Sequence, residues 1–194
     1  MDKQAVIRYF DDRASQWDEH MVCSPFIIDK ILDGARLRMG ASVLDVACGT
    51  GVMFPFYMSR GVSSVTAIDI SPEMAKIAEA KAVGLPIEVI CGDAEEYDFG
   101  KKFDCCVIYN AFPHFTDRRK LISALAGSIK TGGTLTVAHG MSESQLRKHH
   151  EGSAASISES LPSLSEMSEL ISPYFKTEFS VSNEHMYQIT GRKL

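Results

Sequence analysis

A short apolar run, Val43-Leu44-Asp45-Val46, breaks into Ala47-Cys48-Gly49-Thr50-Gly51, and this join constrains the chain more than any other stretch. β-Branched and aliphatic residues favour a covered strand, and the two glycines permit the positive φ of a tight turn. Val52 to Arg60 then reads as helical. A strand that turns at once into a helix leaves unpaired N–H groups beside its own carboxyl end. Such units pack as parallel βαβ repeats, with a ligand crevice at the strand ends.

The pattern recurs. Val65 to Ile70 predicts a second strand, and Ser71-Pro72-Glu73 opens a helix with a cap, a proline at the first position and an early acid. Ile87 to Ile90 and Phe103 to Tyr109 predict strands three and four, Arg118 to Ile129 a helix, and Thr134 to His139 a fifth strand after Gly132-Gly133. Strands one, two and four are apolar almost throughout, as strands covered on both faces are. Lys176 to Val181 and His185 to Arg192, joined by Ser182-Asn183-Glu184, predict a closing hairpin. Upstream, Gln4 to His20 reads as one amphipathic helix or two short ones, and Pro25 to Leu37 as a helix capped by Ser24. The expected fold is α/β: a Rossmann-like doubly wound sheet, mostly parallel with a C-terminal antiparallel hairpin, in a single domain. Within it, residues 1–38 would form cap helices, 39–140 a ligand-binding core, 141–169 a substrate lid and 170–194 the final strands.

Charge excludes some partners. The 194 residues carry 20 Lys+Arg against 25 Asp+Glu, a formal charge of −5. Phosphate backbones and anionic bilayers draw on clustered cations, so neither nucleic acid nor a membrane is an expected partner. No stretch approaches the roughly 18 apolar residues of a membrane span, and no apolar signal segment follows Met1. The five cysteines are odd in number and lack a C-x-x-C pair, which fits reduced thiols in a cytoplasmic setting.

Two ligand classes compete for the turn. A dinucleotide fingerprint, G-x-G-x-x-G, needs a third small residue where helix meets strand, and aligned on Gly49 and Gly51 that position is Phe54. Asp45 also stands near where a pyrophosphate would lie, and a carboxylate there suits a cation better. Asp69 ends strand two at the distance where an acid meets ribose hydroxyls. Asp93 follows strand three and could accept from an adenine amino group. The bland reading of Asp69 and Asp93 is surface acids at loop starts.

At these residues the chain resembles the class I S-adenosylmethionine-dependent methyltransferases. The family's D-x-[GA]-x-G-x-G loop is matched by Asp45, Ala47, Gly49 and Gly51, with Ala47 replacing the commoner first glycine. Asp69, Ser71 and Met74 match D-x-S-x-x-M, and Gly92, Asp93 and Ala94 match G-D-A. Phe103-Asp104 followed by an apolar run and Asn110 resembles the fourth strand. Tyr9-Phe10-Asp11-Asp12-Arg13-Ala14 with Trp17-Asp18 resembles the opening helix of the subgroup that includes quinone-biosynthesis methyltransferases, where it tends to cover the cofactor. The resemblance implies S-adenosyl-L-methionine as cofactor. It implies a binding set of Tyr9, Trp17, Asp45, Ala47, Gly49, Gly51, Asp69, Ile70, Met74, Asp93, Ala94 and Asn110. Met74, Tyr9 and Trp17 read equally well as core residues.

His114, just past strand four, and His139, at the end of strand five, are candidate catalytic residues. Each could take a proton from an acceptor or orient it, or could be a hydrogen-bonded structural histidine. No metal site is expected, because His149-His150 lacks ligand spacing and no H-E-x-x-H occurs. Strand four ends in Asn110-Ala111-Phe112-Pro113 and not in the Asn-Pro-Pro-aromatic signature of DNA amino-methyltransferases. The expected acceptor is therefore a small molecule, in a pocket made partly apolar by Phe112, Phe115, Leu146, Ile157, Leu161 and Leu164. The expected assembly is a monomer or homodimer. An NAD(P)-linked oxidoreductase and a cofactor-binding regulator without turnover are the competing functions.

Overall fold

The computed structural model describes residues 2–21, 23–142, 145–146 and 157–194. The segment opens with α1 (Lys3–Asp11), a 3-10 turn (Ala14–Gln16), α2 (Trp17–His20) and α3 (Pro25–Gly34). The alternating core follows: β1 (Ser42–Val46), α4 (Phe54–Ser59), β2 (Ser64–Asp69), α5 (Pro72–Ala82), β3 (Ile87–Cys91), β4 (Phe103–Tyr109), α6 (Arg118–Ser128) and β5 (Ile129–His139). It ends with α7 (Leu164–Ile171), β6 (Phe175–Ser182) and β7 (Tyr187–Lys193).

The strands form one seven-stranded sheet in the order β3-β2-β1-β4-β5-β7-β6. All pairings from β3 to β5 are parallel, and β7 runs antiparallel between β5 and β6. The expected hairpin is present, with its second strand inside the sheet and its first at the edge. Because the chain leaves β3 at one edge and re-enters at β4, the winding reverses between β1 and β4. A crevice opens at the carboxyl ends of strands at such a reversal.

Alternation along the central strands divides the core in two. Leu44, Val46, Cys106 and Ile108 pack with α6 and α7 on one face. Val43, Ala67, Cys105 and Val107 pack with α3, α4 and α5 on the other. Each fully buried Leu or Ile of this kind contributes about 1.5–3 kcal/mol, so the sheet is a rigid platform for its loops.

Local signals set the helix starts. The Ser71 side chain accepts from Met74 N, with Pro72 at the first position of α5. Helix α7, absent from the sequence reading, begins with a reciprocal capping box between Ser163 and Glu166. That Ser-x-x-Glu signal was visible beneath the Ser-rich composition. Strand β5 begins earlier than expected, at Ile129, and its register against β4 shifts between Phe103 and Cys105, where Gly132-Gly133 lies. Among the described residues no helix is long and apolar enough to cross a membrane. Part of the anticipated lid, including Arg147-Lys148-His149-His150, lies outside the described residues.

Candidate active site

A cavity of about 470 Å³ lies at the carboxyl ends of β1 to β4, at the winding reversal. The loops after these strands form its floor and walls. The α1–α2 segment roofs it with Val6, Tyr9, Phe10 and Trp17. Eleven of the candidate residues meet around this space: Tyr9, Trp17, Ala47, Gly49, Asp69, Ile70, Met74, Asp93, Ala94, Asn110 and His114.

The loop after β1 is held by left-handed backbone. Ala47 has φ +54, Gly49 φ +55 and Gly51 φ +86. The two glycines do different work. A Cβ on Gly49 would meet nothing within 4 Å, so this backbone faces open space. A Cβ on Gly51 would lie 2.5 Å from the Phe54 ring, and Gly51 does not line the cavity. Gly51 thus has a packing role in this structure: it lets Phe54 close the start of α4. Phe54 thereby fills the space that a dinucleotide turn keeps open.

Asp69 is buried at 8 % exposure and lines the cavity. Its Oδ2 accepts from Gly49 N at 2.7 Å and its Oδ1 from Ser71 N at 2.9 Å. These bonds aim the carboxylate and tie the β1 loop to the β2 loop, while about half of its acceptor capacity stays available. Burial pushes its pKa up to about 6 against the opposing pull of those backbone donors. Asp93 accepts from Lys3 Nζ at 2.5 Å through Oδ2 and from Glu95 N at 2.9 Å through Oδ1.

Asp45 lies apart from the other carboxylates. It sits one residue inside β1, 1 % exposed, behind the loop and not in the cavity wall. Burial raises its pKa to about 7, with the nearby Tyr57 hydroxyl opposing and the Asp69 charge reinforcing the shift. Its Oδ2 has no hydrogen-bond partner among the described residues.

The roof is tied to the floor once per loop. Asp18 accepts from Thr50 Oγ1 at 2.5 Å and pairs with Lys81 at 2.6 Å. Asp11 accepts from Ser71 Oγ and from Glu73 N at 3.2 Å. Lys3 reaches Asp93 and, at 2.7 Å, Glu95. Sequence reasoning missed Lys3, Phe10, Thr50 and Glu95. Glu95 had a faint signal as the second acid of Asp93-Ala94-Glu95, and Phe10 one as a member of the quoted opening-helix stretch; Lys3 and Thr50 had none.

His114 lies in the cavity wall at the β4 end. Its Nδ1 is 3.0 Å from both the Ile157 carbonyl and the Ser158 hydroxyl, and Phe10 meets its ring edge-on at 5.1 Å. A carbonyl can only accept, so Nδ1 carries the proton in that bond. His139 is placed elsewhere. It is 1 % exposed, outside the cavity lining, and packs edge-on against Tyr187 at 6.3 Å, because the β5–β7 pairing turns it into the sheet. Of the residues expected to make the pocket apolar, Phe115 and Leu146 line it, and Phe112, Leu161 and Leu164 join the α6–α7 core. Ile157 packs against Val6.

Residues 43–133 match a family described as a methyltransferase domain. A malonyl-[acyl-carrier protein] O-methyltransferase of Acetivibrio thermocellus is 29% identical over 138 residues, covering 70% of this chain and 49% of that protein. The ubiquinone biosynthesis O-methyltransferase of Xanthomonas campestris is 32% identical over 142 residues, covering 70% of this chain and 58% of that one. Over these residues the chain is similar to the methyltransferases whose motifs it resembles in sequence. It spans about half the length of the curated relatives it matches. The solved DhpI–SAH complex shares the methyltransferase fold, with a TM-score of 0.75 at 20% identity, covering 98% of this chain and 96% of that one. The family match stops short of the α1–α2 roof and of β6 and β7.

Proposed function

We propose that this chain transfers a methyl group from S-adenosylmethionine to a small acceptor by direct in-line attack. One observation carries the reading: a single roofed cavity with carboxylates at the β2 and β3 ends and aromatic and apolar groups at the β4 end. The residues fit the cofactor. Asp69 is aimed by two backbone donors and has acceptor capacity for ribose hydroxyls. Gly49 offers backbone free of side-chain bulk for the methionine portion. Ile70, Met74 and Ala94 supply an apolar slot for a base, with Asp93 as acceptor at its edge. Asn110 is held in left-handed backbone at φ +55, and its Oδ1 accepts from Gly140 N, which fixes the β4 end beside the reacting centre.

When bound, the cofactor supplies an electrophilic methyl on a cationic sulfur, which needs no metal and no strong acid. The chain's part is alignment and exclusion of water, and the roof provides the second. His114 is the candidate base for an acceptor that must lose a proton. Phe10, Phe115, Met141 and Leu146 favour an acceptor with an apolar body. The two O-methyltransferase relatives support an oxygen as the methylated atom.

Calorimetric titration is the first test: S-adenosylhomocysteine binds and NADH does not. NADH binding alone would return the oxidoreductase reading. Methyl transfer is then scored across phenols, quinols, carboxylic acids and amines. Tight binding with no turnover on any of them would favour the regulator.

A further inference from the structure

The three ties between roof and floor differ in what they hold. Asp18 and Asp11 reach hydroxyls, a helix start and a lysine at the cavity rim. Lys3 alone among them lines the cavity and divides its ammonium between two carboxylates. The first, Asp93, stands where the base end of the cofactor would sit. The second, Glu95, has a side chain only 2% exposed. Glu95 Oε1 accepts from Thr116 N at 2.9 Å and Asp117 N at 3.1 Å, and both its oxygens meet the Thr116 hydroxyl. Those residues follow His114 and Phe115 in the loop after β4. One ammonium thus ties the roof to the base end directly and to the acceptor-side loop through Glu95.

A carboxylate as deeply placed as Glu95 is costly without a partner charge, and Lys3 supplies it. The same contacts hold the Lys3 ammonium firmly protonated, against the cost of its partial burial. Asp93 receives two donors, so its carboxylate plane is fixed before any ligand arrives.

Resting on the methyltransferase reading above, the geometry points to Lys3 as the positioning residue of the base end. It orients Asp93 toward the exocyclic amino group of adenine and, through Glu95, couples seating of the base to closure of the roof over the acceptor side. Lys3 need not leave Asp93 when adenine arrives, because a carboxylate accepts about four hydrogen bonds.

Trp17 is the chain's single tryptophan and lies in the roof, so its fluorescence reports closure directly. The experiment compares parent, Lys3→Met and Lys3→Arg chains, titrated with S-adenosylhomocysteine and with S-inosylhomocysteine, in which an oxo group replaces the amino group. Lys3→Met is expected to bind S-adenosylhomocysteine about fivefold more weakly, the scale of one partly exposed ion pair. Its preference for the adenosyl over the inosyl ligand narrows, and the Trp17 response shrinks. Lys3→Arg keeps the charge and stays within about twofold of the parent. Parental affinity, selectivity and Trp17 response in Lys3→Met would overturn the inference, as would a tighter complex or equal loss in both variants. A parent chain that binds no S-adenosylhomocysteine removes the methyltransferase reading itself, which separates the two failures.

Discussion

The two ends of the one cavity are built on different principles. At the β1–β3 end, backbone does most of the shaping, with Lys3 the side chain that joins Glu95 N in aiming Asp93. Asp69 is aimed by Gly49 N and Ser71 N, Asp93 by Glu95 N, and the β1 loop is bent by three consecutive alternate residues at positive φ. At the β4 end, side chains from distant parts of the chain converge. His114 meets Phe10 from the roof and Ile157 and Ser158 from the segment that leads into α7. A site made by backbone is set once the sheet forms. A site made by converging side chains depends on the segments that deliver them. The first suits a ligand that never changes, the second an acceptor that differs from one methyltransferase to another.

The largest expected effect tests the converging end. His114→Ala should lower methyl transfer by about 100-fold or more if it accepts the acceptor's proton, with affinity for S-adenosylhomocysteine within about twofold of the parent. His139→Ala, buried against Tyr187, should cost stability and leave turnover per folded molecule unchanged. Parental turnover in His114→Ala would assign that end to binding alone.

Next in size is a contrast within the backbone-built end. Gly51→Ala places a methyl 2.5 Å from the Phe54 ring at φ +86, and urea unfolding should show a loss of about 2–4 kcal/mol from overpacking and left-handed strain together. Gly49→Ala at φ +55 meets no atom within 4 Å and should lose only about 1 kcal/mol, yet it should weaken S-adenosylhomocysteine binding, since its methyl enters the ligand space. Equal stability losses at the two positions would erase the distinction between a packing glycine and a ligand glycine.

This contrast also marks what the amino-acid pattern could and could not disclose. The strands and the doubly wound sheet were legible because apolar runs fix buried strands, and Asp69, Asp93 and the glycine turn recur at their ends. The family resemblance was legible for the same reason: backbone-built loops keep their residues contiguous. What escaped was whatever needs a third dimension. Gly49 and Gly51 look alike until the Phe54 ring is placed. Asp45 and Asp69 both end apolar runs, but one is a residue deeper in its strand and falls behind the loop. His114 and His139 both follow strands, and only pairing with β7 turns the second inward. Lys3 could not be found at all, since its partners lie 90 and more residues away.

Asp69 gives a smaller and more specific effect. Asp69→Asn removes a charged acceptor and leaves an amide that cannot accept from Gly49 N and Ser71 N at once. Affinity for S-adenosylhomocysteine should fall about 30-fold, the range of a charge-assisted bond. The pH dependence sharpens the point. Asp69 and Asp45 titrate near about 6 and about 7, above the ordinary carboxylate range of about 4. Between those values the folded chain binds more protons than the unfolded chain, so their contribution makes stability fall as pH rises from about 4 to about 7. Ligand affinity moves the other way, because ribose hydroxyls need the ionised Asp69. Binding should strengthen from pH 5 to pH 7.5 in the parent and lose that slope in Asp69→Asn. A slope that survives the substitution would move the titrating group elsewhere.

The smallest effect concerns Ala47, the departure from the family's commoner glycine. At φ +54 a Cβ is strained by about 1 kcal/mol, and glycine would relieve it while adding back part of that amount as chain entropy in the unfolded state. Ala47→Gly should therefore stabilise the chain by no more than about 0.5 kcal/mol, measured by urea unfolding. Its methyl lines the cavity, so the informative reading is the ligand's. If the backbone-built end is set by the sheet, removing that methyl changes S-adenosylhomocysteine affinity by less than about twofold, because Asp69 still clamps Gly49 N at 2.7 Å. If affinity falls further, the alanine is part of the ligand's surface, and the β1 loop shapes its cavity with a side chain as well as with backbone.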